Sequence, residues 1–256
     1  MPQVESLAGK PASARMPISA GGQSGLQRLD LWDRSFYFWM SLLIAGVVVY
    51  GFSHTVGGRL IRPPSRPPLI LYFHAVLFTG WLLFFIVQSA LVRTRNVKVH
   101  RKLGWFGLAM GVAMPFVGIT TAIVMTRLRI RQGSTDAAAF MIVPFFDMVE
   151  FTVPFALAFY WRTRPEFHRR LMLIASCALT AAAFGRLPSP LMDHWFYGGV
   201  DALILLAVVR DVIVTKRVHP AYLYGLPLMM LGQIAVTYAF VKSLRQWLKI
   251  AHTLLS

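Results

Sequence analysis

The sequence predicts an all-α polytopic membrane protein with seven transmembrane helices, arranged as one leading span and three helical hairpins. Hydrophobic residues make up 56% of the 256 residues, and the mean hydropathy is +0.57, whereas soluble chains contain about 45–50% apolar residues. A bilayer core about 30 Å thick needs roughly 20 apolar residues per helix. Seven such stretches occur, at residues 35–56, 68–92, 103–126, 138–161, 170–187, 195–214 and 221–241.

A repeated motif predicts the hairpins. Three apolar stretches end in a basic tripeptide followed by a histidine, and the next apolar stretch begins there. The copies are Arg93-Thr94-Arg95 with His100, Arg162-Thr163-Arg164 with His168, and Thr215-Lys216-Arg217 with His219. Together with the N-terminal tail, these turns hold most of the 26 lysines and arginines. The positive-inside rule therefore places the turns and the N-terminus in the cytoplasm.

The regions outside the spans are short. Residues 1–28 are rich in Ser, Gly, Pro and Ala and predict a disordered tail. A single transmembrane domain follows over residues 29–250, with residues 251–256 as a C-terminal tail. A net charge of +16 would suggest nucleic acid in a soluble protein. Here the cations lie at the ends of spans, so we expect the lipid bilayer as partner and no nucleic acid; oligomeric partners are left open.

Small residues and prolines mark how the later spans pack. Gly107 and Gly111 form a GxxxG step in the third span, which favours close approach of another helix within one subunit. Prolines within spans predict kinks, at Pro115, Pro144, Pro154 and Pro227. Cys177 is the only cysteine, which excludes an intrachain disulfide and a thiolate metal cluster.

The fourth span carries two acids, Asp147 and Glu150, which three-residue spacing places on one helical face. Ionisable residues inside a span are costly and mark functional sites by default. Arg186, near the end of the fifth span, is a candidate partner that would make a structural ion pair with Asp147. The alternative is a transport path that also includes Gln88 and Asp201.

His74 begins an inward stripe on the second span, followed by Trp81 and Gln88 at seven-residue steps. The stripe is either a hydrogen-bond ladder between helices or the position of a ligand histidine. If the hairpins pack around a common axis, His74 converges with Asp147 and Asp201. One histidine and two carboxylates suit a divalent metal or a proton path.

The histidines of the three turns allow two interpretations. His100, His168 and His219 could join His74 as ligands of haem b, because neutral imidazole binds haem iron. Cations follow two of these histidines directly, at Arg101-Lys102 and Arg169-Arg170, and oppose metal binding. The other interpretation is that they cap helix starts and contact head groups at the interface.

Several function classes are disfavoured. A retinal protein needs a lysine in its last span, and none occurs between Ala221 and Val241. Phosphate-binding glycine loops, HExxH motifs and GxSxG elbows are absent from the sequence, and no catalytic residue is assigned. Three hypotheses remain: a haem- or metal-binding membrane protein, a small-molecule or proton-coupled transporter or sensor with a charged intramembrane cavity, and a membrane scaffold.

The motifs also resemble a known family. The segments are His74-Ala75-Val76-Leu77-Phe78-Thr79-Gly80-Trp81, His100-Arg101-Lys102-Leu103-Gly104, His168-Arg169-Arg170-Leu171-Met172, Arg186-Leu187-Pro188 and Val218-His219-Pro220. They resemble a family of bacterial inner-membrane proteins that is distantly similar to the DUF2306 group of predicted membrane proteins. The resemblance covers residues 28–250 and implies a multi-span helical fold in the bacterial cytoplasmic membrane. It implies no activity.

Overall fold

The chain is helical throughout the part that the structure describes. The computed structural model describes residues 20–61, 66–188 and 192–255, with side chains over 35–58, 61, 66–188 and 195–255. Ten α-helices lie there: α1 Ala20–Val56, α2 Leu69–Arg93, α3 Val97–Arg131, α4 Ala137–Phe140, α5 Ile142–Tyr160, α6 Pro165–Ala178, α7 Ala181–Phe184, α8 Met192–Thr215, α9 Pro220–Val241 and α10 Arg245–Leu255. A π-helical turn, Gly57–Ile61, follows α1.

Five segments are long and apolar enough to cross a membrane. They are Ser35–Val56, Leu69–Arg93, Val97–Arg131, Ala137–Tyr160 and Pro220–Val241. These match the predicted spans at 35–56, 68–92, 103–126, 138–161 and 221–241. The prediction of a helical multi-pass membrane protein is confirmed at this level.

The other two predicted spans differ from simple membrane helices, for physical reasons. The stretch 170–187 contains two short helices, because α6 ends at Ala178 and the chain turns at Leu179 and Thr180 before α7. The stretch 195–214 lies within α8, which carries Asp201, Arg210 and Asp211 and has a non-helical residue at Trp195. Most of α6 is buried in the bundle, whereas α8 keeps one apolar face exposed.

The ends of the chain also differ from the predicted tails. Residues 1–19 of the predicted disordered tail lie outside the described residues, and α1 begins at Ala20, within the predicted tail. At the other end, α10 includes residues 251–255. Trp247 of α10 donates from Nε1 to the carbonyl oxygens of Ala138 and Ala139, at 3.1 and 3.2 Å. Ala251 is fully buried against α4.

The three basic turns lie together at one end of the bundle. The rings of His100 and His168 are 6.1 Å apart between centroids, which joins the first turn to the second. Phe167 and His219 have centroids 4.5 Å apart, which joins the second turn to the third. The contacts agree with the common side that the repeated motif predicts.

Glycines of α3 allow close packing inside one subunit. A Cβ atom at Gly107 would lie 2.4 Å from the Phe84 ring of α2, and one at Gly111 would lie 2.1 Å from the Phe155 ring of α5. The α3 backbone is therefore in contact with aromatic rings from both neighbours. The structure confirms that the GxxxG step packs helices within the monomer.

Candidate functional site

A cluster of buried polar side chains joins α5, α8 and α9. Asp147 and Glu150 lie on one face of α5, as their spacing predicts. Tyr197 of α8 donates a 2.8 Å hydrogen bond from its hydroxyl to Oδ1 of Asp147. Tyr197 is 5% exposed and Glu150 is 4% exposed. The first contact of the cluster therefore joins α5 to α8 away from water.

Glu150 lies at the centre of this cluster. Asp147 and Asp201 are both within electrostatic range of its carboxyl, and the amide of Gln233 lies beside it. Gln233, on α9, also lies beside Asp201. Tyr197 and Asp201 are four residues apart on α8, so one face of that helix presents both groups. We call these five residues the carboxyl cluster: Asp147, Glu150, Tyr197, Asp201 and Gln233.

Four polar atoms of the carboxyl cluster are buried without a hydrogen-bond partner among the described residues. Both carboxyl oxygens of Glu150, Oδ1 of Asp201 and Nε2 of Gln233 are buried and make no hydrogen bond with the described residues. Unpaired buried polar groups cost about 1–3 kcal/mol each. Within the described part of the chain, the ion pairs formed are those of Asp211 and include none of these acids. The arrangement is suited to holding a proton among the carboxyls.

Arg186 lies apart from Asp147. Its guanidinium is 4.3 Å from the centre of the Phe52 ring, and Nη1 donates to the carbonyl of Ala182. The described side chains include no ion pair between Arg186 and Asp147. Tyr197 takes the place that the sequence assigned to Arg186 as the partner of Asp147.

His74 is also separate from the acids. Its ring stacks on Phe78, with centroids 4.0 Å apart, and Arg186 is the charged group that acts on it. Across the described residues, no three His, Cys, Asp or Glu side chains are grouped so that they could hold a metal ion. The predicted metal set of His74, Asp147 and Asp201 is therefore not assembled, although its two acids do converge near Glu150.

Gln88 connects helices, as the ladder interpretation of the stripe predicts. It is 8% exposed and donates from Nε2 to the backbone carbonyl of His100, at 3.3 Å. Trp81 of the same stripe is 2% exposed and packs edge-on against Phe151 of α5. Gln88 thus holds α2 to the start of α3, away from the carboxyl cluster.

The turn histidines are held individually. Nδ1 of His168 lies 2.9 Å from the carbonyl oxygen of Ala158. Nδ1 of His219 accepts from the backbone N–H of Ala221 at 3.2 Å, so His219 caps α9 as predicted for an interfacial histidine. Burial, reinforced by the nearby Arg170 cation, lowers the pKa of His219. Nδ1 of His100 is buried without a partner among the described residues.

A buried ion network at the turn end was not predicted. Arg170 of α6 donates to both carboxylate oxygens of Asp211, from Nε at 2.7 Å and from Nη2 at 2.9 Å. Arg210 donates a third bond, from Nη1 at 2.6 Å. Asp211 is fully buried. The sequence did contain a signal for this network. Asp211 is an acid near the end of a span, and the helix that packs against it carries His168-Arg169-Arg170 near its start.

Tyr197 and Gln233 are the two site residues that sequence reasoning missed. Both are polar residues within apolar helices, which is the same signal that drew attention to the acids.

Comparison with known proteins adds no further assignment: no family model, no curated protein and no solved structure matches this chain. The resemblance noted in the sequence therefore stays a prediction.

Proposed function

We propose that the protein is a proton-coupled small-molecule transporter or sensor, with the carboxyl cluster as its proton-binding site. The observation that carries this proposal is the convergence of Asp147, Glu150 and Asp201 around Gln233, with both oxygens of Glu150 and one of Asp201 buried and unpaired. A carboxylate as buried as Glu150, beside two half-buried acids and without a paired cation among the described residues, is strongly disfavoured. A proton that enters and leaves the cluster would change its charge, and with it the packing of α5, α8 and α9.

The first test is infrared difference spectroscopy of the protein in lipid as pH is changed. A carboxyl that gains a proton inside the bilayer gives its own C=O absorption, which we expect in the wild type and not in the Glu150→Gln variant. Glu166→Gln is the matched control, because Glu166 is an exposed acid at the start of α6. Spectra that are the same in wild type and Glu150→Gln would refute the proton site.

Coupling to a solute requires a second measurement. Protein in vesicles on a solid-supported membrane gives a transient current when a substrate drives protons across the bilayer. We expect Glu150→Gln to abolish any solute-evoked current that the wild type and Glu166→Gln both give. A current that survives in Glu150→Gln would separate transport from the carboxyl cluster.

A haem-binding function is the second candidate, favoured by the His100–His168 pair. Two imidazoles that ligate one iron have ring centroids about 6 Å apart, given metal–nitrogen distances of about 2 Å, and these rings are 6.1 Å apart. The Ala158 carbonyl leaves Nε2 of His168 as its metal-facing atom. Reduced-minus-oxidised absorption spectra test this. Haem bands lost in His100→Ala and kept in His219→Ala would support it, and a colourless protein would exclude it.

We further propose a seven-span topology in the bacterial cytoplasmic membrane, with the N-terminus and the three turns in the cytoplasm. The common position of the turns and their excess of cations support this orientation. Cys177 is buried and is the only cysteine, so Cys177→Ala gives a clean background. Thr94→Cys should then react with an impermeant maleimide from inside only, and Gln132→Cys from outside only. The reverse pattern would overturn the orientation.

A further inference from the structure

A basic groove lies at the end of the bundle opposite the three turns. It has a volume of about 570 Å³ and is bounded by Arg127, Ile130, Arg131, His252 and Leu255. A second hollow of about 230 Å³ shares Arg127 and Arg131 and adds Pro68, Val124 and Leu128. We call the two together the Arg127 groove. It joins the end of α3 to the start of α2 on one side and to α10 on the other.

The arginines of the Arg127 groove have N–H donors that are not used in hydrogen bonds with the described residues. Arg127 uses Nη2 to donate to the carbonyl oxygen of Leu254, at 3.0 Å, and a guanidinium has five N–H donors. Arg131 is four residues away on the same face of α3 and makes no hydrogen bond or ion pair with the described residues. His252 adds a third basic group. Among the described residues, no acidic side chain lines either hollow.

Two neighbouring charges are already engaged elsewhere. Arg129, which lies between the two groove arginines in sequence, is directed at the Phe140 ring, 5.7 Å from its centre. Asp136, the acid of the loop that follows α3, accepts a 2.7 Å hydrogen bond from Ser134, and this bond lowers the pKa of Asp136. Neither Arg129 nor Asp136 lines the groove, and the charged side chains of its described lining are basic.

The apolar part of the lining points to an amphiphile. Aliphatic side chains lie beside the guanidinium groups, from Val124, Leu128, Ile130 and Leu255. The groove is at the end of a candidate membrane span, Val97–Arg131. The amphipathic helix α10 also buries one face there, through Trp247 and Ala251. Arginine binds phosphate oxygens with paired donors, and basic pockets beside membrane helices bind anionic head groups.

We propose that the Arg127 groove binds an anionic phospholipid, with its phosphate on Arg127 and Arg131 and its acyl chain along the aliphatic lining. The bound lipid fastens α10 to the end of α3. This site is independent of the carboxyl cluster and of the proposed function.

The test compares lipid binding by native mass spectrometry and thermal unfolding of the purified protein. Phosphatidylglycerol should remain bound and raise the unfolding midpoint of the wild type. The double variant Arg127→Gln/Arg131→Gln should lose affinity by about tenfold or more, since each basic residue contributes about 1 kcal/mol to anionic lipid binding. Arg129→Gln is the matched control and should stay within about twofold of the wild type. Equal losses in the double variant and in Arg129→Gln would overturn the site.

Two further probes distinguish binding of an anionic lipid from binding of free phosphate or of any phospholipid. Phosphatidylcholine carries phosphate without net negative charge, and inorganic phosphate carries the charge without chains. Stabilisation by phosphatidylglycerol alone supports the proposal. Equal stabilisation by inorganic phosphate would make the site a simple anion site, and equal stabilisation by phosphatidylcholine would remove its charge selectivity; either result overturns the proposal.

A measurement on the wild type keeps the test valid if the double variant does not fold. Hydrogen exchange of the α10 amides is compared in nanodiscs of phosphatidylglycerol and of phosphatidylcholine. Slower exchange of α10 in phosphatidylglycerol, with no change in α9, supports a lipid that fastens α10. Identical exchange of α10 in the two lipids contradicts it.

Discussion

Replacement of Asp211 by Asn should destabilise the fold more than most single substitutions. Asp211 accepts three charge-assisted hydrogen bonds, two from Arg170 and one from Arg210, and none of its surface is exposed. Asn keeps the shape but offers one acceptor oxygen and no negative charge. The buried Arg170 guanidinium then loses the carboxylate that pairs with it, and breaking a buried ion pair costs about 3–5 kcal/mol.

The assay is the free energy of unfolding, measured by titration with sodium dodecyl sulfate in lipid–detergent micelles. Glu166→Gln is the control, because it also removes an acid next to this network. The backbone carbonyl of Glu166 accepts a hydrogen bond from Arg170, and the substitution leaves that carbonyl in place. Its exposed side chain should change stability by less than about 0.5 kcal/mol. The double variant Arg170→Gln/Asp211→Asn should cost less than the sum of the two single variants, because their effects share one interaction.

A small effect would refute the reasoning. If Asp211→Asn unfolds within about 1 kcal/mol of the wild type, the two guanidinium groups must reach water or another anion, as an exposed ion pair would. If the double variant costs the full sum, the bonds to Arg170 contribute nothing beyond each residue's own packing.

Two further predictions concern helix packing and capping. Gly111→Ala should lower stability by about 1–3 kcal/mol, because its Cβ would lie 2.1 Å from the Phe155 ring; unchanged unfolding would show that the ring moves freely. His219→Ala should cost about 1 kcal/mol through the lost cap, and His219→Asn less. Because the pKa of His219 is lowered in the folded state, wild-type stability should fall as pH drops below the ordinary value of 6.5, a component that His219→Asn lacks in matched pH titrations.

Hydropathy and the repeated turns were enough to predict the membrane fold. The spans over 35–56 and 221–241 are predominantly apolar, and the structure keeps them as helices. The stretch 170–187 is equally apolar, but hydropathy does not report where a helix breaks. Thr180 hydrogen-bonds to the carbonyl of Cys177 at the break between α6 and α7. This local competition for a backbone carbonyl has only a weak sequence signal.

The candidate site was predicted in part. The cost of burying Asp147, Glu150 and Asp201 identified them from the sequence, and depth along the hairpins suggested that acids would meet. Their partners could not be found this way, because depth does not give rotation about the helix axis. Rotation places Tyr197 against Asp147. It leaves Arg186 beside Phe52, away from the acids.

Two acids of α8, Asp201 and Asp211, lie in different environments, and we expect one to serve the proposed function and the other to stabilise the fold. Asp201 and Asp211 are ten residues apart, which corresponds to about 15 Å along the helix. Asp211 is held by two guanidinium groups, so its charge is fixed and its role is structural. Glu150 and Asp201 instead lie beside the neutral amide of Gln233, and they are the acids to which the proposed function assigns the proton. Asp211→Asn should therefore lower the free energy of unfolding by about 3–5 kcal/mol, whereas Glu150→Gln should leave the protein folded and remove the proton signal.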